Sequence, residues 1–472
     1  MAKQNQIDMT TGPLLKKFII FCIPLILTNL LQSLFHSADV LILGKFAGET
    51  EVGAVSCTGS IINLIIGLFI GLSMGANVLV ARNLGKNDQE AVRKSIGTSI
   101  VISLISGVLI MFIGYFGART FLDWTNCLPE FMDMSTEYIQ VYCLGAPLII
   151  LYNFASAIMR ASGDTKRPLI FLIIGGILNI ILNLFFVLVV KKPVAGVAIA
   201  TVASQGVSAI LSLIVLMKNK TACKLVLKYL RIYKNELKEL LIIGIPSGIQ
   251  SCLFNLSNTI ISKNINDFGV PQFVTGNGIA QTYDTLVYQI VHSIALGALS
   301  FVSQNYGAKN FENIVKVRKM AFFTILVAGI IAGGLVILCS PFLDRLGIKE
   351  KTDPKSVELI LHYAFIRHIM MASFQFICGW MDMMANVTRG MGKSVMAMII
   401  TLFGACVLRI LWVELALDVF NIRTPEMLYF SYLFSWSVTT IIYSFVHIRL
   451  FRETKKMFEI KNNKDLNLEK QN

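Results

Sequence analysis

Charged residues are scarce in this sequence. Asp, Glu, Lys and Arg make up only 15% of its 472 residues, whereas 55% are hydrophobic, and the mean hydropathy is +0.68. A typical soluble domain carries about 25% charged residues. The scarcity therefore excludes an ordinary soluble protein and predicts a multi-pass membrane protein.

Paired cysteines are also lacking. The nine cysteines are scattered singly, most of them within apolar runs, without a CxxC motif or a histidine partner. This pattern indicates neither a disulfide framework nor a metal site. We expect no cleavable signal peptide, because the first apolar run follows a polar segment and is longer than a signal core.

Long apolar segments recur along the whole chain, each about long enough to cross a bilayer as a helix of ~20 residues. Runs this long and continuous exclude the alternating strands of a β-barrel. The sequence therefore predicts an all-α polytopic membrane protein with twelve transmembrane helices. The predicted spans are 14–43, 53–80, 96–117, 138–159, 168–190, 194–217, 240–262, 273–303, 320–343, 359–385, 395–418 and 427–447.

Basic residues are distributed unequally between the two sides of these spans. Of the 42 Lys and Arg residues, 30 lie on the side of the N-terminus and 10 on the other, with Arg367 and Arg409 inside spans. This asymmetry predicts a protein of the cell (inner) membrane with both termini in the cytoplasm. It also explains the net charge of +14 without a nucleic-acid partner, although the basic tail could contact anionic lipid.

An internal repeat is visible at an offset of 222 residues. Ile23-Pro24 matches Ile245-Pro246, and residues 73–88 align with 295–310 at five of sixteen positions. Each copy holds an even number of spans, so we expect two pseudo-symmetric six-helix lobes of the same orientation. The expected organisation is an N-lobe at 1–217, a cytoplasmic linker at 218–239, a C-lobe at 240–447 and a basic cytoplasmic tail at 448–472.

Short matches to enzyme motifs lack the context that they require. GLSMG (71–75) fits the nucleophile-elbow pattern but lies in a predicted helix, where its small residues favour close helix packing. GMGKS (390–394) ends like a phosphate-binding loop but has Val387 in place of the first glycine. We therefore predict a secondary transporter that is not an enzyme and uses no cofactor.

One aspartate lies inside the first apolar span. On a helix, Thr28, Gln32, His36 and Asp39 share one face. A charged aspartate at mid-depth costs about 3 kcal/mol even on lenient insertion scales, so such a residue usually binds or carries something. The alternatives are a structural hydrogen bond and a position near the outer interface. Gln32 and His36 are candidates for lining a substrate site.

Neutral oxygen-bearing side chains recur in the fifth and sixth spans. Asn179 and Asn183 lie four residues apart on one helical face, and Thr201 follows in the next span. Together with one carboxylate they could form a site for a hard cation or a proton, or they could make only interhelical hydrogen bonds. Pro24, inside the first span, permits a kink that serves either as a gate or as static packing.

The second half of the chain carries further acids within or near spans. Asp284 lies in the eighth predicted span and Asp382 in the tenth. Asp382 follows Trp380 and precedes two methionines, a setting that suits bulky organic cations but also serves for packing alone. Both acids are candidates for lining a substrate site.

These segments together resemble the multidrug and toxic compound extrusion (MATE) transporters, particularly the bacterial branch, over almost the whole chain. The order of the pieces and the repeat carry the resemblance more than any one piece does. The pieces are Pro24…Asp39…Gly44, RNLGKND (82–88), RASGDTKRP (160–168), LNIILN (178–183), SQNYGAKN (303–310), TRGMGKS (388–394) and VLRILW (407–412).

The resemblance implies an antiporter that expels small organic, often cationic, compounds while Na⁺ or H⁺ flows inward as its two lobes alternate access. In the family the first-span aspartate, matched by Asp39, is the cation or proton site, and Asn179 and Thr201 match its partners. Asn183 departs from the pattern, because many members carry Asp there. One carboxylate attracts Na⁺ less than two, which favours proton coupling, and Pro24 would let the first helix bend.

The resemblance leaves one close alternative, a lipid-linked oligosaccharide flippase of the same superfamily. Such a protein would be expected to line its cavity with several basic residues, whereas only Arg367 and Arg409 lie inside predicted spans here. The expected partners are therefore small organic substrates and membrane lipid, with one chain as the transport unit. Some relatives use a seventh-span acid, but SCLFNLSN (251–258) contains none.

Overall fold

The computed structural model describes residues 6–348 and 352–469, and within these ranges the regular structure is helical throughout. The α-helices are α1 (Leu14–Phe46), α2 (Glu49–Gly85), α3 (Gln89–Trp124), α4 (Pro129–Leu144), α5 (Ala146–Ala161), α6 (Lys166–Phe185), α7 (Pro193–Lys218), α8 (Lys234–Asp267), α9 (Pro271–Gly307), α10 (Phe311–Leu346), α11 (Pro354–Met371), α12 (Gln375–Gly390), α13 (Ser394–Thr401), α14 (Leu408–Val413) and α15 (Pro425–Glu469). Short 3₁₀ segments occur at Leu227–Tyr229 and Ala372–Phe374.

Ten of the described helices or continuous helix runs are long and apolar enough to cross a membrane. The pair α4 and α5 is an eleventh candidate, bent by 51°. The twelfth predicted span, 427–447, lies within α15. The predicted all-α polytopic fold is therefore confirmed, and the helices run past the predicted span ends because helical hydrogen bonds do not stop at the edge of an apolar stretch.

One predicted span is not a single straight helix. The segment 138–159 was expected to be continuous, but the chain breaks between α4 and α5 at Gly145. Pro147, the second residue of α5, has no backbone N–H to donate to the preceding turn, which ends the helical hydrogen-bond ladder at this point.

The chain forms two compact units. The first comprises the N-terminal residues through Thr11 together with Lys16–Cys252, and the second comprises Gly12–Leu15 and the chain from Leu253 onward. The division between the two falls within α8, and the predicted lobe and linker boundaries stay predictions. In the first unit α5 packs against α2, α3 and α7, and α6 packs against α7.

Small residues let helices of the first unit approach closely. A side chain on Gly71 of α2 would overlap the backbone of Gly248 in α8, and Gly75 lies in the same way against Leu240 and Gly244. The expected role of GLSMG in helix packing, and not in nucleophilic catalysis, agrees with this contact.

The second unit is built around α9, which packs against α10, α11 and α12, while α15 packs against α11, α12 and α14. The helical run from Ser394 contains two π-helical segments, Leu402–Val407 and Glu414–Val419, on either side of α14. A third π-helical segment, Phe186–Val190, follows α6 in the first unit. Such segments widen the helix locally and frequently occur at functional sites.

Candidate cation or proton site

Asp39 lies in the interior of the first unit. Its residue is 6% exposed although it carries a carboxylate. Thr28 on the same helical face is also buried, whereas Gln32 and His36 between them are exposed. The polar stripe predicted along α1 is therefore buried at both ends and open in the middle. Whether Gln32 and His36 line a substrate site stays a prediction.

The four residues proposed from sequence come together around one carboxylate. Asn183 donates from Nδ2 to Asp39 Oδ1 at 2.6 Å, and Thr201 donates from Oγ1 to Asp39 Oδ2 at 3.4 Å. Asn179 accepts from Asn183 at 3.2 Å and donates to Thr201 Oγ1 at 3.4 Å. The side chains of α1, α6 and α7 thus form a closed ring of hydrogen bonds.

Glycine makes this ring possible. A Cβ atom at Gly176 of α6 would overlap the ring of Phe35 on α1, and one at Gly175 would press on Ser208 and the Ser204 carbonyl of α7. Because both positions lack a side chain, α1 and α7 approach α6 closely enough for short polar side chains to reach one another. Sequence reasoning missed Phe35 and Gly176, although a GG pair four residues before an Asn pair is a readable signal of close packing.

The oxygen atoms of this hydrogen-bonded ring are suited to binding a proton or a hard cation. The ring contains one carboxylate, two amide oxygens and a hydroxyl, and oxygen ligands are those that hard cations prefer. The Nδ2 of Asn183 donates to Asp39 and to Asn179, while its Oδ1 is buried and accepts from no donor in the part of the chain that the structure describes. Among the described residues no cluster of three or more His, Cys, Asp or Glu side chains could hold a transition metal.

Pro24 lies inside α1, which continues through it. Proline has no N–H, so the carbonyl one turn earlier loses its helical partner. The Thr28 hydroxyl donates to the Pro24 carbonyl at 2.7 Å, which couples the buried end of the polar stripe to this weak point of the helix.

The second unit holds a buried ionic cluster around Asp284. Arg367 donates from Nε to Asp284 Oδ2 at 2.8 Å and from Nη1 to Asn277 at 2.6 Å. His368 lies between two carboxylates, with Nδ1 3.2 Å from Asp284 and Nε2 3.1 Å from Asp344. Asp284 is thus bound to side chains of its own unit, and its expected role in lining a substrate site stays a prediction.

The role of Asp382 in substrate binding also stays a prediction. Its carboxylate lies 2.5 Å from Nδ1 of His292 and accepts from Asn386 Nδ2 at 3.2 Å. The aromatic setting expected from Trp380 is real, but the Trp380 ring stacks on Phe322 at 4.1 Å between centroids and donates its N–H to the Phe322 carbonyl. His292 and His368 both contact aspartates, and neither histidine was identified from the sequence.

A shielded carboxylate inside an all-helical, membrane-spanning chain with an internal repeat defines the class as a polytopic membrane transporter. The MatE family model matches residues 24–185 and 246–413, which together are more than half of the chain, so the chain belongs to the MatE family. The two matches begin at Pro24 and Pro246, the prolines that the sequence repeat aligned.

Curated relatives and solved structures agree with this assignment. The chain is 27% identical over 310 residues to "Probable multidrug resistance protein YpnP" of Bacillus subtilis, covering 65% of this chain and 68% of the relative. It is 24% identical over 392 residues to "Probable multidrug resistance protein NorM" of Thermotoga maritima, covering 82% of each.

A solved structure described as an outward-facing conformation of a multidrug resistance MATE family transporter shares the fold. Its TM-score is 0.88 at 20% identity, and the match covers 97% of this chain and 100% of that one. The expected membership of the bacterial MATE transporters, a family of multidrug efflux proteins, is therefore confirmed.

Proposed function

We propose that the chain is a secondary active antiporter that exports small organic, often cationic, compounds in exchange for Na⁺ or H⁺. The observation that carries the proposal is the buried carboxylate of Asp39, held by side chains of α6 and α7. An ionised carboxylate without a partner inside a membrane bundle costs free energy, so such a residue usually binds a cation or carries a proton. The names of the curated relatives support the class of cargo, since both are described as multidrug resistance proteins.

Asp39 acts as the switch in this proposal. The ionised carboxylate accepts hydrogen bonds from N–H and O–H groups. A protonated carboxyl group can also donate one, and a carboxylate that binds a cation accepts from fewer of its neighbours. The contacts between α1 and the α6–α7 pair therefore differ between the two states of Asp39. Pro24 lets α1 bend in response, and this bending biases the alternating access of the two lobes.

A proton is the coupling ion that the hydrogen bonds favour. Asn183 presents an N–H to Asp39, whereas it would have to present its oxygen to a shared Na⁺. With Asn and not Asp at this position, the site carries one negative charge to attract a cation. Na⁺ coupling would require the Asn183 amide to turn, so that its Oδ1, which accepts from no donor among the described residues, becomes a Na⁺ ligand.

The proposed setting is the cell (inner) membrane with both termini in the cytoplasm and a single chain as the transport unit. The chain is expected to use no cofactor beyond its coupling ion and to act on no nucleic acid. A lipid-linked oligosaccharide flippase is not favoured, because the curated relatives described above are drug-resistance proteins.

The deciding experiment is efflux of ethidium and norfloxacin from cells that express the chain, in Na⁺-free and Na⁺-containing buffer, with and without a protonophore. Efflux that continues without Na⁺ and stops with the protonophore supports a proton on Asp39. Efflux that requires Na⁺ supports Na⁺ as the coupling ion instead. If neither compound is exported, and deletion causes lipid-linked sugar to accumulate, the drug-export proposal fails.

A further inference from the structure

Arg367 and Arg409 are two of the arginines buried in the second unit, and their side chains have different partners. Arg367 is 5% exposed and forms an ion pair with Asp284. Arg409 is 0% exposed and is the largest fully buried side chain described, yet among the described residues no carboxylate lies within ion-pair distance of it. A buried guanidinium without a counter-ion is costly, because desolvation is not repaid by a charged partner.

Neutral groups occupy only part of the Arg409 fork. Nη1 donates to Asn258 Oδ1 at 2.9 Å and Nε approaches Ser435 Oγ at 3.4 Å. The guanidinium carbon lies 4.1 Å from the centre of the Tyr432 ring and 5.4 Å from that of Phe254. Nη2 is buried and has no hydrogen-bond partner among the described residues. The two N–H groups of Nη2 are thus left open, whereas Nη1 and Nε each already have a partner.

Three of the residues that contact Arg409 are only partly buried. Phe254 and Asn258 on α8 and Tyr432 on α15 are each half-buried, as is Asn255 on the same face of α8. Arg409 itself lies in α14, between the two π-helical segments described above. A compound that reaches the guanidinium would therefore meet these partly buried side chains first, and π-helical segments are frequent at functional sites.

We propose that Arg409 binds the carboxylate of a transported compound. A carboxylate oxygen is the acceptor that forms a charge-assisted hydrogen bond with the open Nη2 N–H groups, and the flanking rings of Tyr432 and Phe254 suit a carboxylate attached to an aromatic body. A purely structural role in joining α8 to α15 would use Nε, Nη1 and the ring contacts, and it leaves the Nη2 donors without purpose.

This inference rests on the proposed function and narrows its cargo. A protein that only exports simple cations gains nothing from an unpaired buried positive charge, which would repel them. The site predicts that amphoteric compounds, with both a basic amine and an acidic group, are recognised better than their decarboxylated counterparts.

The test is equilibrium binding of norfloxacin and its decarboxylated analogue to the purified full-length protein in a non-ionic detergent without added phospholipid. The two compounds share the ring system and the basic piperazine and differ in the carboxylate. We expect the wild-type chain to bind norfloxacin about 10- to 100-fold more tightly, the range of a charge-assisted hydrogen bond. In Arg409→Gln this preference should disappear, with binding of the analogue unchanged.

Ser435→Ala is the matched control, because it removes the Nε contact and leaves Nη2 unchanged, so it should keep the preference. Equal binding of the two compounds by the wild-type chain, or equal weakening of both by Arg409→Gln, would overturn the inference. Because no ion gradient is present, failure of the antiport proposal would appear in cell efflux and not in this assay.

Discussion

Asn183 and Asp39, 144 residues apart in the chain, are joined by a hydrogen bond of 2.6 Å from the amide Nδ2 to the carboxylate Oδ1. The bond links α1 to α6 at a point where neither side chain is open to solvent. An aspartate at position 183 would place two carboxylates side by side, whereas the asparagine supplies a donor. The charge of the site thus depends on one residue whose size hardly differs from that of aspartate.

Replacing Asp39 by Asn should abolish active efflux. The amide keeps the size of the carboxylate but neither takes up a proton near neutral pH nor attracts a cation. We expect efflux at the level of cells without the protein, with a normal amount of folded protein in the membrane. Asp123→Asn, an exposed aspartate at the end of α3, is the control and should transport normally. Full efflux by Asp39→Asn would disprove the coupling role.

Replacing Asn183 by Asp should increase Na⁺ dependence. A second carboxylate beside Asp39 makes the site bind a cation more strongly. Two carboxylates this close cannot both stay ionised unless a cation lies between them. The measurement is the Na⁺ concentration that gives half-maximal efflux, compared in Asn183→Asp and the wild-type chain. Asn183→Ala, which removes the hydrogen bond without adding charge, should not gain Na⁺ dependence. Identical Na⁺ curves for Asn183→Asp and the wild type would contradict the one-carboxylate explanation.

A methyl group at Gly176 should impair transport although it changes no polar atom. The added Cβ meets the Phe35 ring and separates α1 from α6, at a cost of about 1–3 kcal/mol typical of overpacking. We expect efflux and thermal stability both to fall. The second substitution Phe35→Leu should restore them by making room. Gly334→Ala is the control, since its Cβ would meet nothing within 4 Å. No recovery in the double variant would show that the contact is not the cause.

The Asp284–Arg367 pair should be important for stability. Asp284→Asn leaves a buried guanidinium uncompensated, and breaking such a pair costs about 3–5 kcal/mol in soluble proteins. We expect a large fall in the temperature of unfolding in detergent. The exposed pair Lys316–Glu312, at 3.8 Å, is the comparison, and its loss should cost about 0–1 kcal/mol. If loss of the exposed pair lowers the unfolding temperature as much as Asp284→Asn does, the buried ion pair has no special importance for stability.

Pro24→Ala should slow transport without unfolding the protein. Alanine restores the backbone N–H that proline lacks, so α1 gains one helical hydrogen bond and bends less easily. We expect a several-fold lower efflux rate with equal or greater thermal stability. Pro246→Ala makes the same change at the repeat-related position in α8. It should have the smaller effect, because Asp39 lies on α1 and not on α8. An unchanged rate in Pro24→Ala would leave the proline a static packing feature.

Much of the first site could be predicted from the sequence. Asp39 stands out because a carboxylate inside an apolar run is rare, and Asn179 and Asn183 share a face because helical residues four apart do so. The structure brings these residues and Thr201 into one ring. Their role in coupling remains a prediction, whereas the family and the helical membrane fold are confirmed.

The polar partners in the second unit could not be predicted in the same way. His368 and Asp344 are 24 residues apart and His292 and Asp382 are 90 apart, so no local spacing indicates that they meet. The break between α4 and α5 was also missed, because hydropathy carries no information on the direction of a helix axis.

The sequence by itself determined that this chain spans a membrane as helices, repeats itself and keeps an aspartate in its first span. These properties follow from hydrophobic length and helical periodicity, which are local. Only the tertiary structure decided that Arg367 has a carboxylate partner and that Arg409 has none among the described residues. Whether a buried charge finds a partner depends on which helices pack together. The spacing of residues along one helix does not determine that long-range packing.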